Sequence, residues 1–126
     1  MRNFRSDSGA VAVEFAIVLI PLLLILMGIF DFGRVYTQQL SLTAAAREGV
    51  RVMAVQNIQA NARNAVIAAL SPSVAGAAII ISPPSCTPGA TATVTVTYPA
   101  ESMTGMFDSA LSGWDLTGKG VRKCGG

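Results

Sequence analysis

The chain has 126 residues, of which 52% are hydrophobic and only 13% charged, and its formal net charge is +2. Soluble domains carry about 25% charged residues, so this deficit points to a membrane-associated or self-assembling protein, and the small, scattered basic excess argues against a nucleic-acid partner. There is no histidine, which removes the Ser/His/Asp and Cys/His catalytic arrangements and the usual zinc sites, so neither an enzyme nor a cofactor is expected.

The first element begins after a short basic start that contains Arg2 and Arg5. From Ala10 to Phe30 every residue except Glu14 is apolar, Gly or Pro. A helix over this segment rises about 32 Å, enough to cross a hydrocarbon core of roughly 30 Å. Asp31 and Arg34 follow and cancel, so the basic bias holds the N-terminus in the cytoplasm and sends the rest outward. The end of the apolar run, Met27-Gly28-Ile29-Phe30-Asp31-Phe32, lacks the small-x-small site of a cleaved secretory signal. A permanent anchor and a processed pilin-type segment remain. Pro21 removes the hydrogen bond that its N–H would make to the Ile17 carbonyl, which predicts a kink or local unwinding unless the helix simply tolerates it.

Beyond Asp31 the helical pattern continues. Phe32, Val35, Leu42, Ala46, Val50 and Met53 mark one stripe of a 3.6-residue helix, while Arg34, Gln38, Ser41 and Glu48 fall on the opposite face. Gly33, Gln39 and Gly49 weaken the pattern without ending it. The simplest reading is one helix from Ala10 to about Val55, roughly 70 Å long. Asp31–Arg34 and Glu48–Arg51 are spaced i,i+3 and read as pairs on a solvated face.

A polar break over Gln56–Asn61 precedes a short second helix, Ala62–Leu70, ended by Ser71-Pro72. Ala77–Ser82 reads as an Ile-rich strand stopped by Pro83-Pro84. Thr91–Tyr98 alternates strictly, with Ala92, Val94, Val96 and Tyr98 on one face and threonines on the other, as in a half-buried antiparallel strand. Leu116–Cys124 is a weaker third strand because of its glycines, and Gly125-Gly126 reads as a frayed end. Phe107 and Trp114 are expected to cover the sheet or to serve a subunit contact. Asp108 and Asp115 have no basic or metal-binding neighbour in sequence and read as surface groups. The fold class is therefore α+β: a long N-terminal membrane-spanning helix carries a short second helix and a small antiparallel sheet of two or three strands.

"GAVAVE" places Gly9 five positions before Glu14, after a basic leader and before a charge-free apolar run. That arrangement resembles the processing signal of type IV prepilins. With "VEFAIVLIPLLLIL", "DFGRVYTQQL" and "AAREGVR", the stretch from Gly9 to Val55 resembles the TadE-like family, minor pilins (pseudopilins) of tight-adherence pilus systems. The resemblance implies cleavage between Gly9 and Ala10 by a prepilin peptidase on the cytoplasmic side. Residues 1–9 would then be a leader, 10–30 the transmembrane and assembly half of the helix, and 31–126 an extracytoplasmic head that includes the helix's amphipathic half. The implied partners are other pilin subunits, reached through the N-terminal helix, with membrane lipid around it before assembly. The implied location is the cytoplasmic membrane, single-pass, with the final place, in a surface pilus or at its base, left open. The alternative is a bitopic membrane protein, its Gly9 merely a flexible residue, whose head binds a ligand or wall component.

Three positions carry the rest of the reading. A carboxylate at the centre of a membrane segment costs about 2.5–3.5 kcal/mol. Glu14 either offsets that cost by meeting the terminal ammonium of a neighbouring subunit, the role the resemblance implies, or reaches headgroup water and does nothing specific. Cys86 and Cys124 form no CxxC motif, and stand as a disulfide or as two idle thiols. Their expected position outside the cytoplasm, where disulfides persist, favours the bridge.

Overall fold

The computed structural model describes residues 5–125; residues 1–4, which hold Arg2 of the expected leader, and Gly126 lie outside the described residues. Helix α1 (Arg5–Gln56) runs unbroken for 52 residues with Pro21 inside it, about 78 Å of rise. It is followed by α2 (Gln59–Ala69), a 3-10 turn (Pro72–Val74), β1 (Ala78–Ser82), β2 (Thr91–Pro99), a one-turn α3 (Asp108–Leu111) and β3 (Asp115–Lys123). The expected α+β architecture is present. The strands form an antiparallel sheet in the order β1-β2-β3.

α1 ends at Asn57, which adopts the left-handed conformation that asparagine tolerates at helix C-termini (φ 53°). Its side-chain oxygen accepts the Cys86 N–H, so one residue stops the helix and ties down the loop after β1. α2 then starts at Gln59 rather than Ala62 and runs back along α1. Val66 lies against Gly49, and the Ser71 N–H donates to Ser41 Oγ at 2.9 Å. The earlier start has no side-chain cap to announce it: Ile58 holds the cap position in extended conformation without one.

The core lies between the far half of α1, α2 and the inner face of the sheet. Leu42, Ala46, Val50 and Met53 meet Ala62, Val66, Ala92, Val94 and Val96, all buried. The alternation in β2 reads as expected, with Ala92, Val94 and Val96 inward. Three expectations fail here. Phe32, assigned to the apolar stripe, is 74% exposed, because the sheet does not reach that far down α1. Gln38, assigned to the polar face, is buried; the segment after α2 covers that face, and Gln38 Nε2 donates to the Ser73 carbonyl at 3.2 Å. Gly125 is not frayed, since its N–H donates to the Ala54 carbonyl at 3.2 Å.

The glycines that weakened the third-strand signal are the reason the strand sits where it does. Gly118 and Gly120 alternate onto the inner face of β3 and are buried. A Cβ on Gly118 would collide with the Leu42 carbonyl, and one on Gly120 with that of Ala46. β3 therefore lies backbone to backbone on α1. Gln39 Nε2, on the same turn, donates to the Thr117 carbonyl at 2.7 Å.

Candidate assembly helix and its junction with the head

Along α1 the environment changes at one residue. From Ser8 to Phe30 the side chains are exposed almost without exception, including Val11, Phe15, Ile17, Ile20, Ile25 and Phe30. Asp31 is the first buried residue, and burial recurs from there to Ala54. The helix is long and apolar enough to cross a membrane, with a mean hydropathy of 2.8 over its most apolar window, none of which is buried. Fourteen large exposed hydrophobic side chains from Val11 to Phe30 are not stable against water, at about 25 cal/mol per Å² of apolar surface. The segment requires lipid or other helices.

Gly9, Ala10, Glu14 and Pro21 all stand on this uncovered part. Gly9 has open space around it, and Glu14 projects from the helix as an exposed side chain. None of the four is brought against the head. The geometry presents them to whatever surrounds the helix, and gives them no partner among the described residues.

Asp31 makes no direct ion pair with Arg34, whose charge acts on it only from a distance. Its carboxylate accepts three hydrogen bonds from the segment before α3: the Met103 N–H at 2.9 Å, the Thr104 N–H at 3.1 Å and the Thr104 hydroxyl at 2.6 Å. The Thr104 hydroxyl first, then the two backbone amides and the Arg34 charge, hold this carboxyl below its usual range, with burial acting the other way. Asp31 thus stitches the loop between β2 and β3 to the helix where its exposed half ends. The only sequence signal for it was that it is the first charge after the apolar run. Nothing in sequence pointed to Thr104.

This stitch has a pH dependence of definite sign. A carboxyl whose folded pKa is depressed contributes stability that is present above its unfolded value and lost as pH falls through the folded one. Attachment of the loop should therefore be constant from neutral pH down to about 4 and weaken only below 3.8, the unperturbed value. Amide exchange at Met103 and Thr104, corrected for intrinsic rates, checks this. Protection that fades already between pH 7 and 5 would contradict it.

Glu48 and Arg51 form the second expected pair, with Arg51 Nε donating to Glu48 Oε2 at 3.0 Å. Asp108 also serves the loop: its Oδ1 accepts the Ser102 N–H at 3.0 Å and the Ser102 hydroxyl at 2.8 Å. Phe107 and Trp114 do not cover the sheet. Trp114 is 68% exposed, and both side chains line a groove beside the helix at Gly28 and Phe32.

Cys86 and Cys124 are joined in a disulfide, with their Cα atoms 5.6 Å apart. The bridge ties the loop after β1 to the end of β3 beside the buried core. Beside it, the Cys124 N–H donates to the Ala90 carbonyl at 2.8 Å.

A helix long and apolar enough to cross a membrane, bare for half its course and bearing a small disulfide-bridged α+β head on the other half, fits a single-pass membrane architecture. The family model described as TadE-like protein matches residues 9–51, which bears out the resemblance over the bare segment and most of the helix that carries the head. The match covers 43 of the chain's 126 residues and lies wholly within α1. Compared with curated proteins and with solved structures, the chain gives no significant match.

Proposed function

We propose that the chain is a minor pilin, or pseudopilin, that supports assembly of a tight-adherence pilus by packing its N-terminal helix beside those of other pilin subunits. The observation that carries this reading is the abrupt loss of burial below Asp31 within the segment matched by the TadE-like model. Residues 1–9 serve as the leader, 10–30 as the anchor and assembly segment, and 31–126 as the head. A prepilin peptidase cuts between Gly9 and Ala10 on the cytoplasmic side. The open surroundings of Gly9 leave the bond accessible, and the basic start keeps it inside.

Cleavage makes Glu14 the fifth residue of the mature chain, about 7 Å along the helix from the new α-amino group. That group has an unperturbed pKa near 8 and is largely protonated at neutral pH. Between staggered neighbours, Glu14 of one subunit meets the ammonium of the next, which lowers the cost of both charges and sets the stagger. Pro21 supplies a soft point where the helix bends as it leaves the bilayer for the fibre.

Glu14→Ala provides the test. The substitution removes a charge from the apolar segment and eases insertion by up to about 3 kcal/mol, so insertion, processing and head folding should all survive. Pilus assembly should be lost. Mass spectrometry of the membrane-extracted protein should read Ala10 as the N-terminus in both wild type and variant. A retained Met1 or Arg2 in wild type favours the bitopic anchor with a ligand-binding head. Normal assembly by the variant refutes the pairing role.

A further inference from the structure

We infer that the loop between β2 and β3 is a membrane-interface collar, by which the head rests on the lipid headgroup and acyl boundary around the exit point of its own helix. This rests on the reading of residues 10–30 as a membrane span.

The loop is closed at its base by the Ala100 N–H, which donates to the Trp114 carbonyl at 2.9 Å. Within it stand four large exposed apolar side chains: Met103 (65% exposed), Met106 (52%), Phe107 (40%) and Trp114 (68%). For a small head this is a concentrated apolar display, and the fold fixes its level. The Asp31 carboxylate holds Met103 and Thr104 at the residue where the bare helix ends. Phe107 and Trp114 meet α1 beside Gly28 and Phe32, across a groove of about 480 Å³. Met103 lies on another side, by Ile29 and Phe30. The loop therefore embraces the helix at residues 28–32 rather than offering one flat patch to a neighbour.

Those residues are where a span beginning at Ala10 has risen about 30 Å and leaves the hydrocarbon. Tryptophan and other aromatic side chains favour that depth, with the ring in the acyl boundary and the indole N–H toward the headgroups. Phe30 and Phe32, 68% and 74% exposed, belong to the same belt. From Ala100 to Asp115 the loop has no basic residue and carries Glu101, Asp108 and Asp115. Contact is thus made by apolar burial, not by attraction to anionic lipid. The occupant is the bilayer surface as such.

Trp114 is the sole tryptophan, so the wild-type chain carries its own probe. The full chain is reconstituted into phosphatidylcholine vesicles with and without brominated acyl chains, and flotation reports membrane insertion. The expected result is flotation, Trp114 emission shifted to the blue relative to unfolded protein, and loss of most of that emission when the bromines lie near the headgroups. The loss should be smaller when they lie near the bilayer centre. Adding phosphatidylglycerol should leave the quenching unchanged. Flotation with water-like, unquenched Trp114 emission overturns the collar while leaving the span intact. A blue shift that appears only at high protein density and resists brominated lipid overturns it in favour of a second copy of the chain in the groove. Failure to float refutes the span reading itself, and the collar with it.

Discussion

Replacing both Cys86 and Cys124 with alanine should destabilise the head by roughly 4 kcal/mol, the chain-entropy value for opening a loop of this length. The bridge spans 38 residues of sequence, a loop that contains β2, α3 and the whole of β3. The effect should be large because the head is small, and its core is mostly one face of three strands against a helix stripe. Domains of this size bury a modest fraction of their surface and depend on staples. Urea unfolding of the full chain in detergent, followed by circular dichroism, should show the midpoint displaced downward. Wild type treated with reductant should move to nearly the same midpoint, which separates the cross-link from any packing defect of the alanines. The part of α1 before Gly28 stands clear of this head, so insertion into membrane should be unaffected. A midpoint unchanged by reduction would mean that the bridge does not close in the native protein.

Gly120→Val should be nearly as damaging by a different route. The inner face of β3 touches the α1 backbone, and a Cβ at Gly120 would fall on the Ala46 carbonyl and close to the Arg47 amide. Neither atom belongs to a flexible side chain that could swing aside. β3 must lift from the helix or the helix must bend, and overpacking of this kind costs about 1–3 kcal/mol or more. Gly118→Val should behave alike, since its Cβ would strike the Leu42 carbonyl. Gly33 lies on the same helix with open space around it. Gly33→Ala should stabilise by up to about 1 kcal/mol through helix propensity alone. Thermal unfolding of the three variants checks the contrast. Equal effects at Gly33 and Gly120 would refute the close packing of β3 on α1.

Much of the architecture was legible in the chain because it rests on local periodicity. An apolar run of membrane length broken only by Glu14, continued by a 3.6-residue stripe, reads most simply as one long helix, and α1 runs Arg5–Gln56. The strict alternation of Ala92, Val94 and Val96 likewise determined which face of β2 turns inward. Even the weak strand at Leu116 was placed within one residue of its observed start at Asp115.

What only the tertiary structure decided concerns residues whose environment is made by distant chain. A periodic stripe reveals one packing partner, but α1 has two, the sheet on one side and the returning α2 segment on another. Gln38 and Ser41, polar and apparently solvated, are covered for that reason. Gly118 and Gly120 looked like flaws in a strand, because a close approach between backbones separated by some seventy residues has no local signature. Asp31 had a charge of the right sign three residues away, yet Thr104 and the neighbouring amides took its carboxylate. Hydrogen-bond donors held at fixed geometry outweigh an exposed ion pair between flexible side chains. That choice sets the depth of the loop, and with it the place of Trp114 beside the helix exit. The span is a property of composition, whereas the junction where the head meets it is a property of the fold.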